Sequence, residues 1–132
     1  MIFVDSSFWI AAKMRADSLH EEALSLRELI AGERLVTSNH VLGETWTFLR
    51  RKDGHKSAVE FLDMLESSPR VDVVRVEPEL EAEALRWLRR HDEREYSFVD
   101  ATSFALMRSL RVKRAFAFDG DFAAAGFTEL RA

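Results

Sequence analysis

At 132 residues with 47% hydrophobic composition, the chain can close one hydrophobic core, which excludes a disordered protein. It contains no cysteine, so a disulfide framework and thiolate metal sites are excluded as well. Its 19 Lys and Arg are outnumbered by 23 Asp and Glu, leaving a net charge of -4, so no global field draws in a polyanion, and contact with one must run through local patches or bound cations. The start MIFVDSS lacks a basic n-region and its apolar run is too short for a signal peptide, while no stretch approaches a membrane span. A soluble cytoplasmic protein with no membrane association is expected.

Short apolar runs alternate with longer segments of helical period, the pattern of a parallel sheet covered by helices on both faces. IFV, Ile2 to Val4, reads as the first strand and ends at Asp5. Ser18 and Glu21 form a capping box that opens a helix with Leu19, Ala23, Leu26 and Ile30 on one face. RLVT at 34–37 is the second strand; a helix from about Asn39 to Lys52 follows, and Gly54 separates it from another over about Lys56 to Glu66. VDVVRV at 71–76 is the third strand, and Pro78 suits the first turn of the helix ELEAEALRWLRR. A helix opens within YSFVDATSFALM, RAFAF at 114–118 is the fourth strand, and FTEL at 127–130 is a short edge strand. No repeat or linker interrupts residues 1–132, which are expected to form a single domain. The basic clusters are Arg50-Arg51-Lys52, Arg86 with Arg89 and Arg90, and Arg108, Arg111, Lys113 and Arg114; each lies near a helix C-terminus, where cations suit the dipole.

Several carboxylates stand where this pattern does not call for them. Asp5 directly follows a buried strand and is either the N-cap of the next helix or a ligand held at the strand end. Glu44 lies three residues after Val41 and four before Phe48, which would point it inward with them, where an unpaired carboxylate is costly. Asp100 is four residues before Phe104, yet Ser97 and Asp100 also read as a capping box. Asp119 and Asp121 lie just beyond the fourth strand in a D-G turn signal. Together, Asp5, Asp119 and Glu44 fall at or after C-terminal strand ends, with Asp100 at a helix N-terminus, and that edge is where open parallel sheets bind ligands. Acids that converge there repel one another unless they share protons or a cation. Hard oxygen donors without Cys or His suit Mg²⁺ or Mn²⁺.

FVDSSFWIA, TSNHVLGETWTFLRR, YSFVDATSFALM and AFAFDGDFAAAGF, in this order along essentially the whole chain, resemble the PIN domain, and more narrowly the VapC-type toxins of toxin-antitoxin pairs. The resemblance implies a three-layer α/β/α fold around a mainly parallel sheet of about five strands. It also implies a metal-dependent ribonuclease, with RNA as substrate, a small antitoxin as partner, and a homodimer. The family's acids carry over onto Asp5, Glu44, Asp100 and Asp119 as catalytic and metal-binding residues, with Asp121 as an additional ligand. One departure is Ala117, where family members often place Thr or Ser two residues before the last acid; Ser6 or Thr102 is expected to supply the hydroxyl.

Phosphodiester hydrolysis needs an activated water, a neutralised phosphate and a stabilised leaving oxygen, all of which a bound divalent cation can supply. By the resemblance, the departing group is the RNA 3′-hydroxyl and the other product keeps a 5′-phosphate. Unpaired RNA fits a narrow crevice best, with Phe8, Trp9 and Trp46 as aromatic residues available for stacking. Of His20, His40, His55 and His91, only His40 stands close to the acid set, one turn before Glu44. Two other readings fit part of the pattern. A response-regulator receiver would have adjacent acids after its first strand and a Lys after its last, and neither is present. A PIN-like module that only binds RNA or protein would share the fold without the catalysis.

Overall fold

Five short apolar runs become strands, and the intervening amphipathic segments become helices. The computed structural model describes all residues 1–132. In chain order the elements are β1 (Ile2–Val4), α1 (Ser6–Lys13), α2 (His20–Leu29), β2 (Leu35–Ser38), α3 (Asn39–Lys52), α4 (His55–Ser67), β3 (Val71–Val74), α5 (Pro78–Arg90), α6 (Phe98–Leu110), β4 (Arg114–Phe116), α7 (Asp121–Ala124) and β5 (Thr128–Glu129). All five strands are parallel, in the order β3-β2-β1-β4-β5. From β1 the chain steps outward through β2 to β3, then returns across the sheet to β4 on the other side of β1. Right-handed crossovers put α1 to α4 on one face and α5 and α6 on the other, giving three layers.

β1 is the axis of this arrangement. Its three residues are fully buried and pair with both β2 and β4. The core contains 27 buried residues and is rich in aromatic contacts. Phe8 on α1 stacks on Phe116 of β4 with centroids 4.2 Å apart and planes 9° from parallel, while Phe104 on α6 meets Phe122 edge-on at 4.9 Å. Phe8 and Trp9 are therefore core residues, 1% and 6% exposed, and are closed to any stacking with substrate.

Several expected boundaries move by a few residues. The second strand begins at Leu35 and runs to Ser38, whose hydroxyl accepts the Val41 N–H and caps α3. The third and fourth strands stop at Val74 and Phe116, because the apolar pattern continues past the paired ladder: Val76 and Ala117 are buried without a strand partner. The Ser18–Glu21 capping box does not form. Leu19 stands at the N-cap without a side-chain cap, the Asp17 Oδ1 accepts the Leu19 N–H at 2.8 Å in the turn before it, and α2 starts at His20. Gly54 does separate α3 from α4, at φ 98°, a conformation that a Cβ would strain.

Phe8→Ala should remove the ring that joins α1 to β4 and lower stability by about 3–5 kcal/mol, as measured by urea unfolding. A cost below about 1 kcal/mol would mean that this stack does not organise the centre of the sheet.

Candidate active site

The direction of the chain reverses at β1, and in open parallel sheets ligands bind beyond the C-terminal ends of the strands flanking such a switch. Asp5 and Asp119 follow the two strands that meet there. The Asp5 N–H donates to the Phe116 carbonyl at 3.0 Å, continuing the β1–β4 ladder by one bond and fixing the side chain at the crevice floor. Asp5 is 2% exposed. It caps α1: its Oδ2 accepts the Ser7 N–H at 3.2 Å and the Ser7 hydroxyl at 2.8 Å. Its Oδ1 is buried with no partner at all.

Asp100 enters from the first turn of α6, where the capping box is complete. Its Oδ2 accepts the Ser97 N–H, and the Ser97 hydroxyl accepts the Asp100 N–H, both at 2.9 Å. Asp119 lies in the turn after β4, and its Oδ1 accepts the Asp121 N–H at 3.1 Å. Asp121 opens α7. Carboxylate oxygens of Asp100, Asp119 and Asp121 all lie within 4.8 Å of one another.

The electrostatics follow from this crowding. Burial, reinforced by the negative charge of Asp119 and to a lesser degree Asp100, pushes the Asp5 carboxyl up to about 7 against the opposing bonds from Ser7. Burial, with Asp119 and Asp121 adding repulsion, raises Asp100 to about 6. Asp119 is raised too, first because protein displaces water from its crevice side and then by the charge of Asp121, although the residue as a whole is exposed. An orphaned buried oxygen, a cluster of hard donors and mutual repulsion are what a bound divalent cation would relieve, so these residues fit one.

Comparison with known proteins agrees with this geometry. A profile described as PIN domain matches residues 2–128. The 23S rRNA-specific endonuclease VapC20, from two Mycobacterium tuberculosis strains, is 53% identical over 99% of this chain and 98% of its own length. The crystal structure of M. tuberculosis VapC20, described as a sarcin-ricin loop cleaving toxin, superposes with a TM-score of 0.93 at 52% identity, covering 100% of both chains. The chain belongs to the PIN-domain family, as a VapC-type ribonuclease toxin. The FitAcB structure from Neisseria gonorrhoeae, 15% identical with a TM-score of 0.72 over 98% of this chain and 96% of its own, shares the fold. No helix of this PIN domain is long and apolar enough to cross a membrane.

Glu44 is placed differently from expectation. It is exposed, because the core stripe of α3 is Val41, Thr45 and Leu49, and residues 44 and 48 form the next stripe round the helix. It still reaches the site's rim, where its Oε1 accepts the Ser6 hydroxyl at 2.5 Å, one residue after Asp5. Of the two residues expected to supply the hydroxyl missing at Ala117, Thr102 donates to its own helix at the Val99 carbonyl, while Ser6 donates to Glu44 of the acid set. Ser7 adds a hydroxyl that was not expected, accepting the Phe118 N–H at 3.1 Å while donating to Asp5. Its place two residues after a capping Asp was the available signal.

Arg94, which sequence reasoning missed, lies against the turn between Asp119 and Asp121. Its Nε donates to Asp121 Oδ1 at 2.7 Å and its Nη2 to the Asp119 carbonyl at 3.0 Å. Gly120, at φ 84°, leaves room for it, since a Cβ there would stand 3.2 Å from Nη2. In the acidic segment DEREY nothing marks this arginine out. No histidine bonds to the acids: His20 meets the Ala11 carbonyl, His40 meets Glu81, and His91 meets Glu93.

The raised Asp5 carboxyl has a definite effect on stability. Its ordinary value is 3.8, so between about pH 4 and 7 the unfolded chain gives up this proton while the folded chain keeps it. Stability of the chelated protein should therefore fall as pH rises through that window and level off above it, by on the order of a few kcal/mol. Melting temperatures at pH 5 and pH 7.5 in EDTA should show this loss for the parent and a much smaller one for Asp5→Asn. Identical pH profiles for the two proteins would remove Asp5 as the cause.

Proposed function

We propose that this ribonuclease cuts a loop of 23S ribosomal RNA, using Mg²⁺ or Mn²⁺ held by Asp5, Asp100 and Asp119, with Asp121 as an additional ligand. The supporting observation is the meeting of the Asp100, Asp119 and Asp121 carboxylates within 4.8 Å; Asp5 stands outside that trio, with its Oδ1 unpartnered and its carboxyl within reach of the charges of Asp119 and Asp100. Identity of 53% to a 23S rRNA-specific endonuclease supports the substrate. Bound in this set, the cation would supply an activated water, a neutralised phosphate and a stabilised leaving oxygen. Ser7 and Ser97 hold the Asp5 and Asp100 carboxyls in place through the helix caps, and Glu44, from the exposed rim, would hold the metal directly or through water. Cleavage leaves a 3′-hydroxyl and a 5′-phosphate.

The same reading gives the protein a cytoplasmic site of action, a homodimeric state, and a small antitoxin that covers the crevice with a basic side chain, since an Arg can bridge two carboxylates in a fork. Residues 1–132 act as a single domain, because one sheet and one core serve them all.

Asp100→Asn separates a ligand from a helix cap. Asn can still accept the Ser97 N–H and complete the capping box, so a purely structural Asp100 predicts unchanged melting and unchanged cleavage. As a ligand, Asp100 predicts a chelated mutant at least as stable as the parent, since a repelling charge is gone. The parent should gain roughly 2.7 kcal/mol from Mn²⁺ at a hundred times its dissociation constant, and the mutant less. Cleavage of a 23S rRNA fragment by the mutant should fall by orders of magnitude. Normal cutting by the mutant, or metal-free unfolding of it, would return Asp100 to the cap. A parent that leaves both 23S rRNA and total RNA intact in Mg²⁺ and Mn²⁺ would favour a binding module.

A further inference from the structure

A groove of about 630 Å³ opens from the rim of the acidic crevice and runs along α3. One wall is the exposed stripe of that helix, His40, Glu44, Phe48 and Arg51 at steps of three and four residues, with Lys52 beside its end. The facing wall includes Val99, the neighbour of Asp100. Glu44 on one wall and the neighbour of Asp100 on the other set the groove next to the acidic crevice. Its charge changes along its length: Glu44 lies at the crevice end, and Arg51 and Lys52 lie about 10 Å further along the helix axis.

Three properties of this groove await explanation. Arg51 and Lys52, like most basic residues of the chain, have no acidic partner within ion-pair distance, so both are free to meet a phosphate. Phe48 is 38% exposed in a chain that buries most of its phenylalanines. The His40 ring is held upright between Glu81, at 2.9 Å, and the edge-on ring of Phe98 at 5.6 Å, which makes that end of the groove rigid. Unpaired cations in line with an exposed aromatic ring are what binds a single nucleic-acid strand, through its phosphates and a base face.

We propose that the α3 groove is the track along which single-stranded RNA runs away from the cleavage site, with Arg51 and Lys52 holding phosphates and Phe48 stacking on a base. This rests on the ribonuclease reading and adds to it where the strand lies. It also accounts for how a protein of net charge -4 holds a polyanion next to an acidic crevice. The cations are set back from the metal ligands, where they attract the strand without neutralising the carboxylates.

The test uses a fluorescein-labelled single-stranded RNA in Ca²⁺, with binding followed by anisotropy over a range of salt, and cleavage of the same RNA in Mn²⁺ as a second readout. Arg51→Gln with Lys52→Gln should weaken binding and reduce the slope of log affinity against log salt by about 1.4, since each phosphate contact to a single strand contributes about 0.7. Phe48→Ala should weaken binding by about tenfold and leave the slope alone, because stacking releases no counterions. Unchanged melting temperatures would show that both variants fold. If the parent cuts RNA but the double variant binds with the parent's affinity and slope, the track is wrong and the ribonuclease reading stands. If the variants alter the mass in solution without altering RNA binding per chain, the groove is a face between two copies and the proposal fails. A parent that neither binds nor cuts would overturn both readings.

Discussion

Asp5, Asp100 and Asp119 are held where burial and neighbouring negative charge raise all three carboxyls above their ordinary range, and the crevice end of the protein is built to withstand that. The restraint comes from the backbone. The Asp5 N–H is tied to Phe116, the Ser7 hydroxyl bridges Asp5 to the Phe118 N–H, and the Phe8 ring stacks on Phe116 directly beneath. The central β1–β4 pair therefore carries two carboxylate-bearing turns whose separation is set by a ladder. A side chain on a free loop could swing away to relieve its charge; these cannot.

Helix capping leaves a carboxylate one oxygen for a second use. A carboxylate has two oxygens, and in Asp5 one accepts both bonds from Ser7 while the other is left buried and bare. In Asp100, Oδ2 closes the capping box. The cap restrains the rotamer, and with it the position of the second oxygen. Such restraint stabilises the helix start and would lower the ordering cost of holding an ion.

The fold was largely legible because its signals are periodic. Five apolar runs separated by helical segments specify a parallel sheet, and Pro78, Gly54 and the Ser97–Asp100 box mark boundaries that the structure shows in place. What could not be read depends on helix phase and on contacts between distant segments. Whether Glu44 lies on the buried stripe or the adjacent one is a rotation of one position around α3, and Val41 and Phe48, taken as its guides, themselves fall on different stripes. Ser7 meets Phe118 across 111 residues, and Arg94 meets Asp121 across 27; no local pattern encodes either bond. The Ser18–Glu21 box satisfied its spacing rule and still did not form, because the chain bends at Asp17 to Leu19 and places Leu19, not Ser18, at the N-cap.

Arg94 shows how a fold can place positive charge beside an acidic cluster without filling it. Its guanidinium is spent on the Asp121 carboxylate and the Asp119 carbonyl, on the outer side of the turn, and the residue is too exposed for the pair to contribute much to stability. Its effect is therefore mainly geometric. It ties together the two ends of the turn around Gly120, and the carboxyls of Asp5, Asp100 and Asp119 all stay raised in its presence. A cation that relieves this repulsion must come from solution or from a partner chain, and either would find the ligands already in position.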